Sequence, residues 1–173
     1  MEAPPPFDDL ISQCEHSAVH LEMRDAYTPD DPAFLAWKSG QLAEPLDANR
    51  PWFELVRTHV ARGVEFRRAR VISEPVTDYI RFEHEVTEAV NVAAGEQVRW
   101  LPRRLASDLR LPGNDFWLFD DRLVLFNHFA GDGSSLGPQG KELREEPYVI
   151  ELCRATFKAA WARAIDHKTY QPV

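Results

Sequence analysis

The first part of the chain carries apolar residues at helical spacing, three and four positions apart. This pattern predicts one helix that begins at Asp8 or Asp9 and continues to Leu21, with a single buried face. The residues of that face are Phe7, Leu10, Ile11, Cys14, Ala18 and Leu21. The N-terminal part of the chain is therefore expected to be mainly helical.

Further helical patterns begin or end at recognisable signals. The turn Thr28–Pro32 starts a short helix, and Pro51 opens another helix, which Gly63 stops. Ser73 is expected to cap a helix that has Pro75 in its first turn. The predicted helices are Ala33–Lys38, Trp52–Ala61, the segment that follows Ser73, and Pro147–Ala164, with a loop over Gln41–Arg50.

Three segments have the pattern of strands. Val64–Ser73 alternates at first and then becomes continuously apolar, which is typical of a strand that runs from the rim of a sheet towards its middle. Glu96–Leu101 predicts a second strand, which Pro102 ends. Asp115–Phe126 predicts a hairpin that turns at Asp120-Asp121, because Asp is favoured in tight turns.

Together these elements predict an α+β fold. We expect a central sheet of four to five strands, mixed or antiparallel, with helices packed against it and an N-terminal helical lobe. The length of 173 residues fits a single domain, 1–173. Within it, residues 1–50 form the acidic helical lobe and residues 51–173 form the α+β core.

Composition and charge narrow the functional classes. The chain is 44% apolar and 28% charged, as in ordinary globular proteins, and it has no apolar run long enough to span a membrane. The net charge is −8, and residues 1–50 alone carry −7. An acidic chain is not expected to bind nucleic acid directly, whereas its acidic first third could face a basic protein partner. The N-terminus lacks a secretory signal, so we expect a cytoplasmic protein.

No complete catalytic or metal-binding motif is present. The glycine-rich loop 131–140 lacks the lysine of a P-loop, and no Gly-x-Ser-x-Gly sequence occurs. His16 and His20 stand four residues apart, but no third metal ligand follows at a suitable spacing. The two cysteines, Cys14 and Cys153, fit reduced core positions. We therefore expect no catalytic residue, no metal and no cofactor.

Arginines make up the most informative polar set. They lie on the first predicted strand and on or just after the second, so the strand ends could gather several guanidinium groups near two tryptophans. Such a cluster could bind an anion, a phosphate or the carboxylates of a partner. The alternative is that local acids (Glu65, Glu74, Asp78, Glu96 and Asp108) neutralise the arginines in pairs. The candidate ligand- or partner-binding residues are Arg70, Tyr79, Arg99, Trp100, Arg103, Asp115, Trp117 and His128.

Three segments resemble a known family. They are His20–Tyr27, Ile72–Glu83 and Asp115–Asp121, and with Gly95-Glu96 and the closing aromatic helix they extend the resemblance over roughly Phe7 to Tyr170. The chain resembles an uncharacterised actinobacterial family, of the Streptomyces type, whose small stand-alone members are often encoded beside helix-turn-helix regulators. The resemblance implies regulation through such a partner, but no settled activity.

A weaker resemblance is to one half of the phospholipase D-like fold, which has a similar order of elements. The signature of that superfamily is His-x-Lys with an Asp five residues after the Lys. With Asp120 as that Asp, Asp115 and Gly113 occupy the Lys and His positions; with Asp121, Phe116 and Asn114 do so. Neither register supplies the nucleophile or its lysine, so the resemblance implies a binding relic.

The sequence therefore predicts a non-catalytic cytoplasmic interaction or regulatory module that acts with a helix-turn-helix transcription regulator. The alternative is an enzyme that binds a small molecule, a nucleotide or a phosphoester. Its site at the strand ends would consist of Arg70, Arg99, Asp115, Trp117 and His128.

Overall fold

A computed structural model describes residues 4–41 and 45–173 of this chain. The strands are β1 (Ser17–Glu22), β2 (Glu65–Ile72), β3 (Gln97–Pro102), β4 (Asp115–Phe119), β5 (Leu123–Asn127), β6 (Lys141–Arg144) and β7 (Ile165–Asp166). The α-helices are α1 (Phe7–Ser12), α2 (Pro32–Lys38), α3 (Pro45–Ala61), α4 (Asp78–Thr87) and α5 (Pro147–Arg163). A π-helical turn, Glu88–Val92, continues α4, and short 3-10 turns occur at Arg103–Leu105 and Gly137–Gly140.

The seven strands form one mixed sheet in the order β6-β5-β4-β1-β2-β3-β7. β1, β2 and β3 are parallel to each other, and the remaining pairs are antiparallel. The predicted α+β class is confirmed, but the predicted strand number was too low. The charged edge strand β6 and the two-residue β7 escaped prediction because neither has an apolar alternating pattern.

The first predicted helix was wrong beyond its second turn. α1 ends at Ser12, and β1 lies in the middle of the sheet between β2 and β4. Ala18 and Leu21 fit a helical face, but they are also buried in a strand that packs on both faces of the sheet. The apolar spacing of this segment fits both a helix and a strand, and tertiary packing selects the strand. The N-terminal part is therefore not a purely helical lobe.

Other boundaries were also corrected. α3 begins at Pro45, and Pro51 lies inside it, so Pro45–Arg50 is helical rather than part of a loop. The rest of that predicted loop includes residues 42–44, which lie outside the described residues. Thr77, not Ser73, caps α4, because the Thr77 hydroxyl accepts the Ile80 N–H. Ser73 instead donates its hydroxyl to Asp25 at 2.7 Å.

The hairpin prediction was confirmed. β4 pairs with β5, and both Asp120 and Asp121 have positive φ angles of 50° and 53°, as a tight two-residue hairpin turn requires. The Asp120 carboxylate also accepts the backbone N–H groups of Glu15, His16 and Ser17 at 2.8–2.9 Å. The turn therefore fixes the entry into β1.

Apolar side chains cover both faces of the sheet. One face packs against α5, with Leu21, Val71, Leu101 and Phe116 in its core. The opposite face has two separate clusters, one under α1 and α3 and one under α4. The strip of sheet between these two clusters is polar, and it holds the candidate site.

No helix in the described ranges is both long and apolar enough to cross a membrane.

Candidate functional site

Charged side chains occupy the buried strip between the two apolar clusters. The register of the parallel strands places His20 of β1 beside Arg68 of β2, and Glu22 beside Arg70. Partners in register point to the same face of a sheet, so the four side chains are neighbours. Each residue is at most 8% exposed. A buried charge is costly unless it is paired, so this strip must be neutralised locally.

Arg68 is paired with two carboxylates. Its Nη1 donates to Glu22, and its Nε donates to Glu96 at 2.7 Å. Glu96 precedes β3, is almost fully buried, and also accepts the side-chain amide of Asn91 at 2.5 Å. Asn91 lies on the π-helical turn, so this unusual backbone segment directs an amide towards the ion network.

Arg70 joins the network to α4. Its Nε donates to Glu22 at 2.6 Å and lies 3.1 Å from a carboxylate oxygen of Glu83. Its Nη1 donates to the hydroxyl of Thr87 at 2.8 Å, and its guanidinium lies over the ring of Trp100. Glu83 and Thr87 are four residues apart and therefore share one face of α4.

Tryptophan rings enclose the other side of the network. The Trp117 ring is stacked on His20, with the ring centres 4.2 Å apart. The Arg68 guanidinium lies 5.2 Å from the ring centre of Trp52 and 5.5 Å from that of Trp117. Stacked guanidinium and indole groups attract each other and fill space without further hydrogen bonds.

Both ring nitrogens of His20 face hydrogen-bond acceptors. Nδ1 lies 2.8 Å from the carbonyl oxygen of Phe116, and Nε2 lies 3.2 Å from Glu22. These two contacts fix the orientation of the imidazole ring between β4 and Glu22.

A polar cavity of about 290 Å³ opens beside the network. It lies between α3 and α4, over the polar strip of the sheet. Its lining combines charged, amide and aromatic side chains, which is typical of sites that orient a small molecule. The principal lining residues are Asp31, Trp52, Arg68, Arg70, Tyr79, Phe82, Glu83, Asn91 and Trp117.

The pKa values of two carboxyl groups of the network are shifted in opposite directions. Burial alone would raise the pKa of Glu22, but the guanidinium groups of Arg68 and Arg70 hold it well below its usual value. Burial raises the pKa of Glu83 to about 7; Arg70 opposes this shift, and the negative charge of Glu22 adds to it. Glu83 is thus a carboxyl group in the cavity wall that titrates near neutral pH.

One oxygen of Glu83 is ion-paired but not hydrogen-bonded. Its Oε2 atom is buried and lies 3.1 Å from Nε of Arg70, but it accepts no hydrogen bond. The Nη2 atom of Arg70, in the same cavity wall, donates no hydrogen bond to any residue that the structure describes. Buried acceptors without a hydrogen bond, such as Oε2 of Glu83, are uncommon in folded proteins, and a bound molecule can supply the missing donor.

A second polar group lies next to the strip. Asp115 accepts the hydroxyl of Tyr27 at 2.5 Å and the backbone N–H of Met23 at 2.9 Å. Burial raises the pKa of Asp115, although the Tyr27 hydroxyl lowers it in part. The contacts hold the segment after β1 against β4 and give Asp115 a structural role.

The structure brings together some of the residues predicted as a site. Arg70, Tyr79 and Trp117 line the cavity, and the ring of Trp100 packs against the guanidinium group of Arg70. The others lie elsewhere: Asp115 bonds Tyr27, and Arg99 stacks on Trp161 on the α5 side. Arg103 binds the carbonyl oxygens of Met23 and Val71, and His128 pairs with Glu142.

Pairing of arginines by local acids is observed in part. Glu65 pairs with Arg67, Glu96 with Arg68, and Glu74 with Arg104. The other two acids bind different partners, since Asp78 lies near Lys38 and Asp108 pairs with Arg163.

Sequence reasoning missed the carboxylates that complete the site. Glu22 was placed after a helix, and Glu83 was considered only as part of the resemblance. A charged residue inside an apolar strand pattern, such as Glu22 directly after His20-Leu21, was the available signal. Other residues of the cavity and network that were not among the predicted site residues include His20, Asp31, Trp52, Arg68, Phe82, Thr87 and Asn91. Glu96 was expected only as a neutralising acid.

Neither cysteine is part of this site. Cys14 and Cys153 are both buried and unpaired, and burial raises the pKa of each thiol to about 12. In the ranges 4–41 and 45–173, no group of three or more His, Cys, Asp or Glu residues is arranged to hold a metal ion.

Two larger cavities differ in character. One, of about 460 Å³, lies between α1 and α3 and is lined largely by apolar groups such as Phe7 and Leu55. The other, of about 390 Å³, lies beside α5 and is lined by residues that include Arg67, Lys158 and Trp161. Their carboxylate, arginine and lysine side chains are partly or fully exposed, whereas Arg68 and Arg70 of the polar cavity belong to a buried network.

The fold and the site define a class: an α+β domain in which a buried ion network forms the wall of a polar cavity. The chain belongs to the family DUF6879, a domain of unknown function, which matches residues 5–172. The sequence-based expectation of a family without a settled activity is confirmed in this coarse form. The bacterial group and the neighbouring regulators stay predictions.

Comparison with curated proteins found no match. Among solved structures, the chain is similar to TrmBL2, an archaeal chromatin protein described as showing a novel mode of DNA binding, with 11% identity and a TM-score of 0.48. It is also similar to Nuc, a phospholipase D family member from Salmonella typhimurium, with 11% identity and a TM-score of 0.49. The matches cover 91% and 92% of this chain, but 47% of TrmBL2 and 86% of Nuc.

Proposed function

We propose that this protein is a small-molecule-binding domain and that the polar cavity between α3 and α4 is its binding site. The observation that carries the proposal is a donor and an acceptor without hydrogen bonds in one cavity wall. They are Nη2 of Arg70 and Oε2 of Glu83, which is ion-paired with Nε of Arg70 only. A ligand with both an acceptor and a donor would satisfy them together.

The surroundings of these groups favour binding. Arg70 is held by Glu22 and Thr87 and rests on Trp100, so its guanidinium has little freedom to lose when a ligand binds. Side chains that are already fixed cost less entropy on association than mobile ones. The cavity volume of about 290 Å³ suits a metabolite of modest size.

A melting-temperature screen tests this proposal. The purified protein is heated with single compounds at millimolar concentration, drawn from amino acids, amines, carboxylic acids, nucleotides and phosphoesters. A ligand that binds only the folded state raises the melting temperature, by an amount that grows with concentration above Kd. We expect at least one class of compound to do so.

A blocked cavity provides the control. Val86 lines the cavity on α4, and Val86→Phe is expected to fill part of it and to abolish the shift while circular dichroism stays unchanged. The matched control is Val92→Phe, at a partly exposed position that is not among the lining residues. If no compound raises the melting temperature of the wild type, the proposal is wrong. A shift that survives Val86→Phe would place the ligand elsewhere.

An enzyme is the second candidate, and the property that favours it is the acid–base character of Glu83. A carboxyl group with a pKa of about 7 can donate or accept a proton at neutral pH. If this chain is an enzyme, a compound that binds in the cavity should be converted, and Glu83→Gln should stop conversion while binding persists. Unchanged ligand after prolonged incubation with the wild type would exclude this role.

The regulatory role stays a proposal of its own. The acidic first fifty residues support contact with a basic partner, and a domain that binds a small molecule could control a DNA-binding protein. Co-purification with a helix-turn-helix protein encoded beside this chain, in low salt, tests it. Absence of a complex at micromolar concentration would count against it.

A further inference from the structure

The charge balance of the cavity limits the kind of ligand that it can accept. Arg68 and Arg70 already face the buried carboxylates of Glu22 and Glu96. Asp31 and Glu83 then add two acidic groups to the cavity lining without further cations. Two guanidinium groups then face four carboxylates, so the site has an excess of negative charge when Glu83 is ionised. A purely anionic ligand would increase this excess, whereas a positive group would reduce it.

Acceptors for a positive group lie on one side of the cavity. Glu83 on α4 offers its Oε2, which is ion-paired with Arg70 but accepts no hydrogen bond, and Asp31, the residue that caps α2, also lines the cavity. Tyr79 and Phe82, on the same helix as Glu83, are also lining residues. Carboxylates combined with aromatic rings are the groups that proteins use to bind ammonium ions.

Arg70, in contrast, favours a negatively charged group on the ligand. Its Nη2 remains a donor without an acceptor among the described residues, and guanidinium groups bind carboxylates particularly well. The cavity therefore presents a donor and an acceptor of opposite charge on neighbouring side chains, since Arg70 and Glu83 lie within 3.1 Å of each other at their nearest charged atoms.

We infer that the ligand is a zwitterion with an ammonium and a carboxylate group close together, as in an α-amino acid. Its ammonium group lies beside Glu83 and Asp31, and its carboxylate accepts a hydrogen bond from Nη2 of Arg70. Its side chain contacts the indole rings of Trp52 and Trp117. This inference rests on the proposed function and specifies the ligand of the same cavity.

Binding of an ammonium group should be coupled to the ionisation of Glu83. The protonated carboxyl group has no charge to offer, so the affinity is expected to rise as pH increases through about 7. The charged and titratable groups that act on Glu83 are Arg70, Glu22, Arg68 and Asp31, together with Tyr79 on its own helix. A free amino acid stays zwitterionic over this interval, so the ligand itself adds no titration.

Isothermal titration calorimetry with free L-amino acids as probes tests the inference. For the amino acid that binds most tightly, we expect binding to be about tenfold weaker at about pH 6 than at about pH 8. We also expect at least about tenfold weaker binding for its analogue without the amine and for its analogue without the carboxylate.

A matched pair of variants isolates the role of Glu83. Glu83→Gln is expected to weaken binding about tenfold at about pH 8 and to remove the pH dependence. Glu88→Gln, at an exposed carboxylate on the π-helical turn that follows α4, should leave both unchanged. If Glu83→Gln does not fold, the pH dependence of the wild type tests the same step without a variant.

The outcomes separate the inference from the proposed function. Tight binding of an amine-free acid or a phosphoester, lost in Val86→Phe, would leave a ligand-binding cavity but overturn the zwitterion. Binding of an amino acid with equal affinity at both pH values would overturn the role of Glu83. If no probe of any class binds, both proposals are wrong.

Discussion

Arg70 connects three other elements of the site. It binds Glu22 on β1, lies against Glu83 and Thr87 on α4, and rests on Trp100 of β3. Burial alone would lower the pKa of Arg70, but the carboxylates of Glu83 and Glu22 raise it. Its charge is therefore fixed, and its removal leaves Glu83 without its ion-pair partner and Glu22 with Arg68 alone.

Arg70→Met is expected to lower the free energy of unfolding by about 3 kcal/mol, because it breaks a buried ion pair from one side. Denaturant unfolding measured by circular dichroism checks this value. The matched control is Arg67→Met on the same strand. Arg67 pairs with Glu65 near solvent, where both side chains are more than a third exposed, so a loss below about 1 kcal/mol is expected. Equal losses in the two variants would contradict a special role for the buried network.

Among single residues, the sequence could indicate the cations and one partner, Glu96, but not the partners Glu22 and Glu83. Arg68 and Arg70 stand out on a strand, and two of the predicted site residues, Tyr79 and Trp117, also reach the cavity. The carboxylates come from β1, α4 and the turn before β3, and only the fold brings these segments together. Arg99 and Arg103 were misplaced because their actual partners, Trp161 and two carbonyl oxygens, are also far from them in the sequence.

Among the connections between elements, the turn from the π-helical turn to β3 is the one that positions Glu96 beside Arg68. Gly95 has a φ angle of +102°, and a Cβ atom at this position would lie 2.9 Å from a methyl group of Val60 on α3. Both the backbone conformation and the close approach of α3 therefore require glycine.

Gly95→Ala is expected to destabilise the fold by about 2 kcal/mol, from the strained backbone and the contact with Val60 together. The control is Gly113→Ala, where φ is not positive and an added Cβ would meet nothing within 4 Å. That variant should change the free energy of unfolding by less than about 0.5 kcal/mol. Chemical denaturation of both variants measures the difference, and a neutral Gly95→Ala would show that α3 can move away from this turn.

Element prediction succeeded where one local signal was decisive. The hairpin at Asp120 and Asp121 and the helix over α5 have turn or periodicity signals of their own. β1 was assigned to a helix because its apolar residues fit both periods, and its place between β2 and β4 depends on distant pairing. β6 was missed because its residues are charged and its pairing with β5 is also non-local.

For the whole molecule, stability should depend on pH through the buried network. The pKa of Glu83 is about 7 in the folded protein, against an ordinary value of 4.5. The folded state therefore binds more protons than the unfolded state between these values. The contribution of the Glu83 carboxyl group to the free energy of unfolding is complete below pH 4.5 and is lost as the pH rises through about 7.

We expect the free energy of unfolding of the wild type to fall, relative to Glu83→Gln, as the pH rises from 4.5 to about 7. Urea denaturation at several pH values in this interval measures the difference between the two proteins. Glu88→Gln is the control, and its difference from the wild type should not follow the same curve. A constant difference between the wild type and Glu83→Gln would contradict the shifted titration of Glu83.

Binding of a small molecule in the polar cavity can be observed at single tryptophan side chains. The chain has five tryptophans, of which Trp52 and Trp117 line the cavity, while Trp37 and Trp161 lie away from it. In nuclear magnetic resonance spectra of the 15N-labelled protein, the best-binding L-amino acid should shift the indole N–H signals of Trp52 and Trp117 and leave those of Trp37 and Trp161 in place. Unchanged spectra, or a shift of Trp161 alone, would contradict the account.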